Sequence, residues 1–266
     1  GRLGEVYGYE LDGFYTTDDF SWDGSKWVLN ENLTDPTELI KYNNFGPGAL
    51  KLKADEDGKF TKKRLGNTVP TVTGGFGINM RYKNFDLSAF FNYSLGNKIV
   101  NATKLGSGYY NDTKKGWNLN DNFTLAKRYS WIDPTTGENM LKSSYIKSNG
   151  LDYTINRLNE VNAGASMYNP GSITEMPLLD WAVEDGSFLR VNNISIGYTL
   201  PKAFVNKIFM QNVRIYVTGY NLYCFTKYSG ADPEVDTRRS TPMTPGVDYS
   251  AYPKSRSFVG GINVTF

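Results

Sequence analysis

Two runs near the end of the chain change character at every residue. In the last, Phe258, Gly260, Ile262, Val264 and Phe266 alternate with Ser257, Gly261, Asn263 and Thr265. In the run before it, Val213, Ile215 and Val217 alternate with Arg214, Tyr216, Thr218 and Tyr220. A period of two belongs to strands with one apolar and one polar face. That pattern leaves two architectures open. One is a soluble sandwich whose apolar faces meet in a core. The other is a membrane barrel whose apolar face meets lipid and whose polar face lines a lumen.

An earlier hairpin separates the two on connection length. Val72, Gly74, Phe76, Ile78, Met80 and Tyr82 alternate with small or polar residues, and Lys83-Asn84 form a tight turn. Phe85, Leu87, Ala89, Phe91, Tyr93 and Leu95 then alternate with Asp86, Ser88, Asn92 and Ser94. The turn is short, whereas the connections at the other end are long. Outer-membrane barrels have this asymmetry, and a sandwich has no reason for it. Tyr82 and Phe85 flank the turn where an interfacial aromatic girdle would lie. A further strand is expected over 188–200 with a broken phase. Leu189 and Val191 read onto one face, and Ile194, Ile196, Tyr198 and Leu200 onto the other, which leaves open a bulge at Asn192-Asn193 or an upper part that rises above the lipid and packs on other loops. Strands over 213–221 and 256–266 complete five, and residues 1–15 offer a sixth.

Composition narrows the function. A net charge of +2 gives no electrostatic case for nucleic acid. The chain has no His, which removes the commonest general base and metal ligand. Its single Cys, Cys224, can build neither an internal disulfide nor a thiolate metal site, and no cofactor is expected. Aromatics reach 15%, with 19 Tyr, which suits β structure and aromatic surfaces. No run of about 18 apolar residues exists, so a transmembrane helix is not expected. A barrel stays open, because only alternate residues meet lipid. No signal peptide opens the chain at Gly1, so a mature protein or a piece of a longer one is expected.

Between the strands, residues 16–50 read as loop, with a short helix at Asp35–Glu38. Residues 97–187 read as a long irregular tract, with a short helix over Asp121–Tyr129. The tract carries Tyr109, Tyr110, Trp117, Trp131 and Trp181 amid Asn, Ser, Thr and Gly. Such surfaces suit sugar rings and peptides alike.

Several stretches resemble the SusC/RagA family of TonB-dependent outer-membrane importers. They are GRLGEVYGYELDGFY, GNTVPTVTGGFGINMRYKNFDLSAFFNYSLGN, EDGSFLRVNNISIGYTLP, VRIYVTGYNLYCFTKYSGADPEV and PGVDYSAYPKSRSFVGGINVTF. The resemblance runs over nearly the whole chain and corresponds to the family's C-terminal portion. It implies an all-β fold: an antiparallel transmembrane β-barrel segment, the C-terminal strands of a barrel of about 22 strands. On it, 97–187 and 222–255 are extracellular loops, and Asn79, Arg81, Asp86, Asn92, Arg214 and Tyr216 face the lumen. Tyr109, Tyr110, Trp117, Trp131 and Trp181 are the candidate substrate contacts. Ile262, Val264 and Phe266 belong to a terminal signal read by the barrel-assembly machinery. The family often has an acidic calcium-type loop where KLKADEDGKFTKKR stands here. Asp55 and Asp57 survive among many cations, so calcium is a weak expectation and a solvated turn the stronger one.

The implied activity is uptake of oligosaccharides or peptides into a bacterial cell through the outer membrane. The implied partners are a SusD-like surface lipoprotein and the lipid bilayer. A plug, the other strands and the contact with the TonB complex are expected outside this chain. Two other functions compete. One is a secreted or surface β-sandwich that binds glycans. The other is a glycoside hydrolase using Asp232 with Glu234, or Glu184 with Asp185.

Overall fold

The computed structural model describes residues 2–30, 44–110, 118–234, 245–250 and 252–266. Its largest sheet has five antiparallel strands. They are β1 (Val72–Tyr82), β2 (Phe85–Leu95), β3 (Phe188–Thr199), β4 (Asn212–Thr226) and β5 (Ser257–Thr265). The order across the sheet is β5-β4-β3-β2-β1, a meander in which sequence neighbours pair. Strand β4 continues to Thr226, beyond the expected end at 221.

The two connections at one end of the sheet are the shorter pair, although the one between β3 and β4 is longer than most turns of its kind. Lys83 takes a left-handed φ of 52° and closes the two-residue β1–β2 turn. The β3–β4 connection is one helical turn, Lys202–Val205, then a 3-10 turn, Asn206–Ile208. The connections between β2 and β3 and between β4 and β5 leave from the other end, and both are long.

The pairing register corrects the expected phase of β3. Val191 pairs with Phe91, but Asn193 pairs with Phe90, so Asn192 is an extra residue. An inserted residue moves everything beyond it by one face. The sequence alone puts Leu189 and Val191 opposite Ile194, Ile196 and Tyr198. The bulge brings all five onto one face, level with Tyr93, Phe91, Ala89, Leu87 and Phe85. A second irregularity matches it on β4, where Asn221 has φ 51° between Tyr220 and Tyr223.

Residue contacts divide the chain into two compact units. The first comprises Gly1–Glu5, Gly66–Val100 and Glu184–Phe266 and holds the sheet. The second comprises Val6–Leu65 and Asn101–Val183. It is a folded body rather than the irregular tract the sequence suggests. Tyr9, Tyr15, Phe20, Leu50, Leu52, Phe123, Tyr168, Ile173 and Leu179 make one buried cluster. Tyr129, Met140, Tyr145 and Leu158 make another.

Helices α1 (Ser143–Asn149) and α2 (Leu151–Val161) lie in this unit, separated by Gly150 at φ 89°. The stretch Asp121–Tyr129 carries only a 3-10 turn, Asp121–Phe123, in place of the expected helix. Phe20–Trp22 and Trp27–Leu29 form a hairpin inside the stretch read as loop. The expected sixth strand is instead two short ones. Glu5–Gly8 pairs with Lys63–Asn67, and Leu11–Phe14 pairs with Leu50–Leu52. Neither joins the five-stranded sheet. The expected helix at Asp35–Glu38 lies outside the described residues. Among the described residues, no helix is long and apolar enough to cross a membrane, which says nothing of a barrel.

Candidate functional site

The five-stranded sheet has two chemically distinct faces. Register places Val72, Phe76, Ile78, Met80, Leu87, Phe91, Leu189, Val191, Ile194, Ile196, Val213, Ile215, Val217, Ile262 and Val264 on one of them. Every paired residue of that face is aliphatic, aromatic, Gly or Ala, and no charge falls on it. Much of it is exposed in this chain: Met80 is 61%, Ile196 54%, Val217 55% and Ile262 65% accessible. Exposed apolar surface on this scale marks contact with something apolar.

Aromatic rows bound the face. At the short-turn end Tyr82, Phe85 and Tyr198 are register neighbours, and the Phe85 and Tyr198 rings lie 4.7 Å apart. At the other end stand Tyr93, Tyr223 and Phe225. At the usual rise, the separation from Phe85 to Tyr93 is about 26 Å along the strand. At the tilt of membrane barrels this spans about 20 Å, comparable to their apolar band of about 25 Å.

The opposite face is polar, interrupted by Phe90, Phe188 and Val259. All six residues expected to face a lumen, Asn79, Arg81, Asp86, Asn92, Arg214 and Tyr216, sit on it. Arg214 reaches across β3 to Asp86 in a fork, with Nε to Oδ1 at 2.9 Å and Nη2 to Oδ2 at 2.5 Å. The bridge passes over Gly197, where a Cβ would lie 2.5 Å from both Arg214 Nε and Asp86 Oδ1. Only glycine leaves that path open. The guanidinium also stacks 5.0 Å from the Tyr216 ring centroid. Ser195 and Thr218 add a hydroxyl pair at 2.8 Å.

Higher on the same face, Arg190 is 4% exposed and meets two carboxylates. Its Nη2 donates to Asp232 Oδ1 at 2.5 Å. Its Nε is 2.6 Å from Glu234 Oε2, an ion pair directed off the hydrogen-bond axis. Lys254 Nζ meets the same Glu234 oxygen at 2.7 Å, and Asn92 donates to Glu234 Oε1 at 3.2 Å. Two cations and two carboxylates thus pin the Asp232–Glu234 stretch to β2 and β3. Sequence reasoning reached these acids only as a competing catalytic pair. In the structure they are the ion-pair partners of Arg190 and Lys254. Likewise Glu184 accepts from the Ser229 N–H and hydroxyl, and Asp185 from the Ser187 N–H.

The second unit places the loop aromatics. Tyr109 packs against the larger buried cluster. Trp181 packs there too, its ring 6.1 Å from Phe123 and 5.7 Å from Lys104 Nζ. Trp131 donates its indole N–H to the Pro47 carbonyl at 2.7 Å. Tyr110 is 43% exposed, and with Trp131, Arg128 and Asn169 it lines a cleft of ≈ 800 Å³. Trp117 lies outside the described residues.

A closed network braces this unit. Asp133, 1% exposed, accepts from Tyr145 Oη at 2.6 Å, the Thr135 N–H at 2.9 Å and Arg157 Nη2 at 3.0 Å. The Tyr145 hydroxyl, with the Thr135 N–H and Arg157, holds the Asp133 carboxyl at about 2. Burial, with the bond to Asp133, pushes Tyr145 up to about 12.

The weak calcium candidate is a self-closed turn. Asp55 accepts from the Asp57 and Lys59 N–H groups and from the Thr61 hydroxyl, so its oxygens cap the backbone. Its carboxyl is lowered by these bonds, the Lys59 N–H foremost. Among the described residues, no group of three or more acidic, Cys or His side chains could hold a metal ion.

No family model matches the chain. Individual proteins do. TonB-dependent receptor P3 of Formosa agariphila is 31% identical over 276 residues, covering 99% of this chain and 22% of the receptor. TonB-dependent receptor SusC of Bacteroides thetaiotaomicron is 24% identical, covering 97% of this chain and 20% of SusC. Among solved structures, the RagAB peptide transporter superposes with a TM-score of 0.54 at 20% identity, covering 100% of this chain and 23% of that one. The same importer in its closed-closed state gives 0.53 at 21% identity. These structural likenesses are ones of fold. The chain spans about a fifth to a quarter of the length of the curated relatives it matches. Both named relatives are described as TonB-dependent receptors. Sequence and fold agree over the whole chain: it is a SusC/RagA-like segment of a TonB-dependent transporter.

Proposed function

We propose that this chain supplies part of the wall and outer loops of a bacterial outer-membrane importer energised through TonB. The observation that carries the reading is the two-faced sheet. One face is wholly apolar between two aromatic rows, and the other is polar. The apolar face meets lipid, and the polar face with Asn79, Arg81, Asp86, Asn92, Arg214 and Tyr216 lines the transport path. Both short connections lie at the periplasmic end, and 97–187 and 222–255 lie outside the cell. Among the described residues, strands β1 and β5 each have one edge without a strand partner, which lipid cannot satisfy. Further strands, and the plug that engages TonB, come from sequence beyond this chain.

The cargo is an oligosaccharide or a peptide, taken up with a SusD-like surface lipoprotein. Support comes from the resemblance to SusC and RagA and from the Tyr- and Trp-bearing loops. Of the described candidate contacts, Tyr110 is the most available to a ligand, with Trp131 beside it in the cleft. Trp181 and Tyr109 serve mainly to pack the unit. Ile262 and Val264 on β5, with Phe266 just after it, serve assembly.

The test is the intact mass of the native polypeptide in carbonate-washed membranes. A membrane-retained species several times heavier than 29.9 kDa is expected. A 29.9 kDa species confined to the soluble fraction would overturn the reading.

A further inference from the structure

One cleft in the second unit combines an apolar wall with a single charge. It measures ≈ 800 Å³, within the usual range of small-ligand sites. Leu119, Leu125, Ile132 and Pro170 supply aliphatic surface, and Tyr110 and Trp131 supply rings. Leu125 is 81% and Ile132 46% exposed, so the wall offers apolar area for a ligand to cover. Among the described residues, Arg128 is the one charged group that lines the cleft.

Arg128 is fixed by its backbone and idle at its head. Its N–H donates to the Thr124 carbonyl at 3.0 Å, and its strand bridge is to Met167. The residue is half-buried, and among the described residues its guanidinium has no hydrogen bond or ion pair. A partly desolvated charge is stabilised by an opposite charge that meets it. The acids near it in sequence do not serve. Asp133 is closed off by Tyr145, Thr135 and Arg157, and Asp121 stands outside the lining. Asn169, in the same lining, has its amide oxygen taken by the Gly171 N–H at 2.7 Å, which leaves Nδ2 to donate. Tyr129, also in the lining, keeps a buried hydroxyl without a partner. These unspent groups suit an acceptor, and the full positive charge suits an anion.

We propose that the cleft binds the carboxyl end of a short peptide, and that Arg128 selects it. The terminal carboxylate meets the Arg128 guanidinium, and the last apolar side chains cover Leu125, Ile132 and Pro170. A uronic-acid sugar also carries a carboxylate, but its ring hydroxyls would find few partners on the aliphatic wall. The inference rests on the reading of the outer loops as cargo-facing. It goes beyond that reading by naming one subsite, one cargo class and the residue that sets the charge preference.

The full-length transporter that contains this segment tests it. The probes are acetyl-Ala-Leu-Leu with a free carboxyl group, the same peptide as its amide, and a trisaccharide bearing one glucuronate. Titration calorimetry in detergent reads their affinities. The wild type should bind the free acid at least about ten-fold more tightly than the amide, the range for one hydrogen-bonded charge pair. Arg128→Gln should bring the acid down to the level of the amide and leave the amide unchanged, and Arg128→Lys should keep the preference. Unshifted melting midpoints show that both variants are folded. Equal affinity for acid and amide in the wild type, or a preference that survives Arg128→Gln, would overturn the proposal. Binding of the glucuronate trisaccharide in place of the peptide would overturn the cargo class. Recovery of the native protein from the soluble fraction alone would instead sink the importer reading, while the acid-over-amide preference is still read on the purified protein.

Discussion

Deleting Asn192 removes the residue by which β3 outruns β2 between Val191 and Asn193. Two realignments remain, and both put wrong residues on the apolar face. In one, Ile194, Ile196 and Tyr198 leave it and Asn193, Ser195, Gly197 and Thr199 replace them. In the cheaper one, only the stretch 188–191 turns over and Arg190 enters the apolar face. Near the upper aromatic row an Arg on that face costs about 1 kcal/mol. Arg190 also leaves Asp232 and Glu234, and breaking a buried ion pair costs about 3–5 kcal/mol. The sum is about 4–6 kcal/mol, a factor of at least about a thousand in the assembled population. Asn192→Ala keeps the extra residue and should cost under about 1 kcal/mol. The assay is the folded, heat-modifiable fraction of the full-length transporter in outer membranes, and its melting midpoint. Wild-type assembly of the deletion variant, at an unshifted midpoint, would refute the claim that the bulge sets the phase.

Other outcomes follow from the same geometry. Gly197→Ala should break the Asp86–Arg214 fork and destabilise by about 1 kcal/mol, the range for a partly exposed pair of good geometry. In an Arg214→Leu background the same change should cost nothing, so a double-mutant cycle on melting midpoints reads the coupling. Gly48 sits at φ +85° with the Tyr129 ring where a Cβ would go. Gly48→Ala should therefore cost about 2–4 kcal/mol, read by hydrogen exchange in the second unit. Asp133 is held at about 2 against an ordinary 3.8, so folding favours its charged form. Its contribution is fully present above about pH 4 and is lost as pH falls toward 2. Exchange protection of α1 and α2 should fall over that window, and Asp133→Asn should flatten the dependence.

The strands were legible because each alternates over most of its length and the β1–β2 turn is short. Long-range information was not. A bulge at Asn192-Asn193 was legible in β3, but not its effect, because the extra residue, Asn192, returns Ile194, Ile196 and Tyr198 to the side of Leu189. Helix α2 was missed although Leu151, Thr154, Ile155, Leu158 and Val161 recur at helical spacing on its buried side. Gly150 and the polar residues between them masked the period. Most of the loop aromatics were expected to pack the tract onto itself, and Tyr129 and Tyr168 do, but their partners, residues 14 and 15, 45 to 52, and 123, were not legible. Nothing local announces such partners. For the same reason, Asp232 and Glu234 were visible as acids but not as the counter-ions of Arg190.

The central claim is that one face of the sheet meets lipid and the other does not. Ile78 and Asn79 are adjacent on β1, Ile78 on the apolar face and level with Ala89, midway between Phe85 and Tyr93. The most direct measurement compares Ile78→Arg with Asn79→Arg in the full-length transporter, by folded yield in outer membranes and melting midpoint. Ile78→Arg should lose about 2–4 kcal/mol, the cost of Arg at the bilayer midplane, and Asn79→Arg should stay within about 1 kcal/mol. Equal effects, or a larger loss at Asn79, would contradict the account.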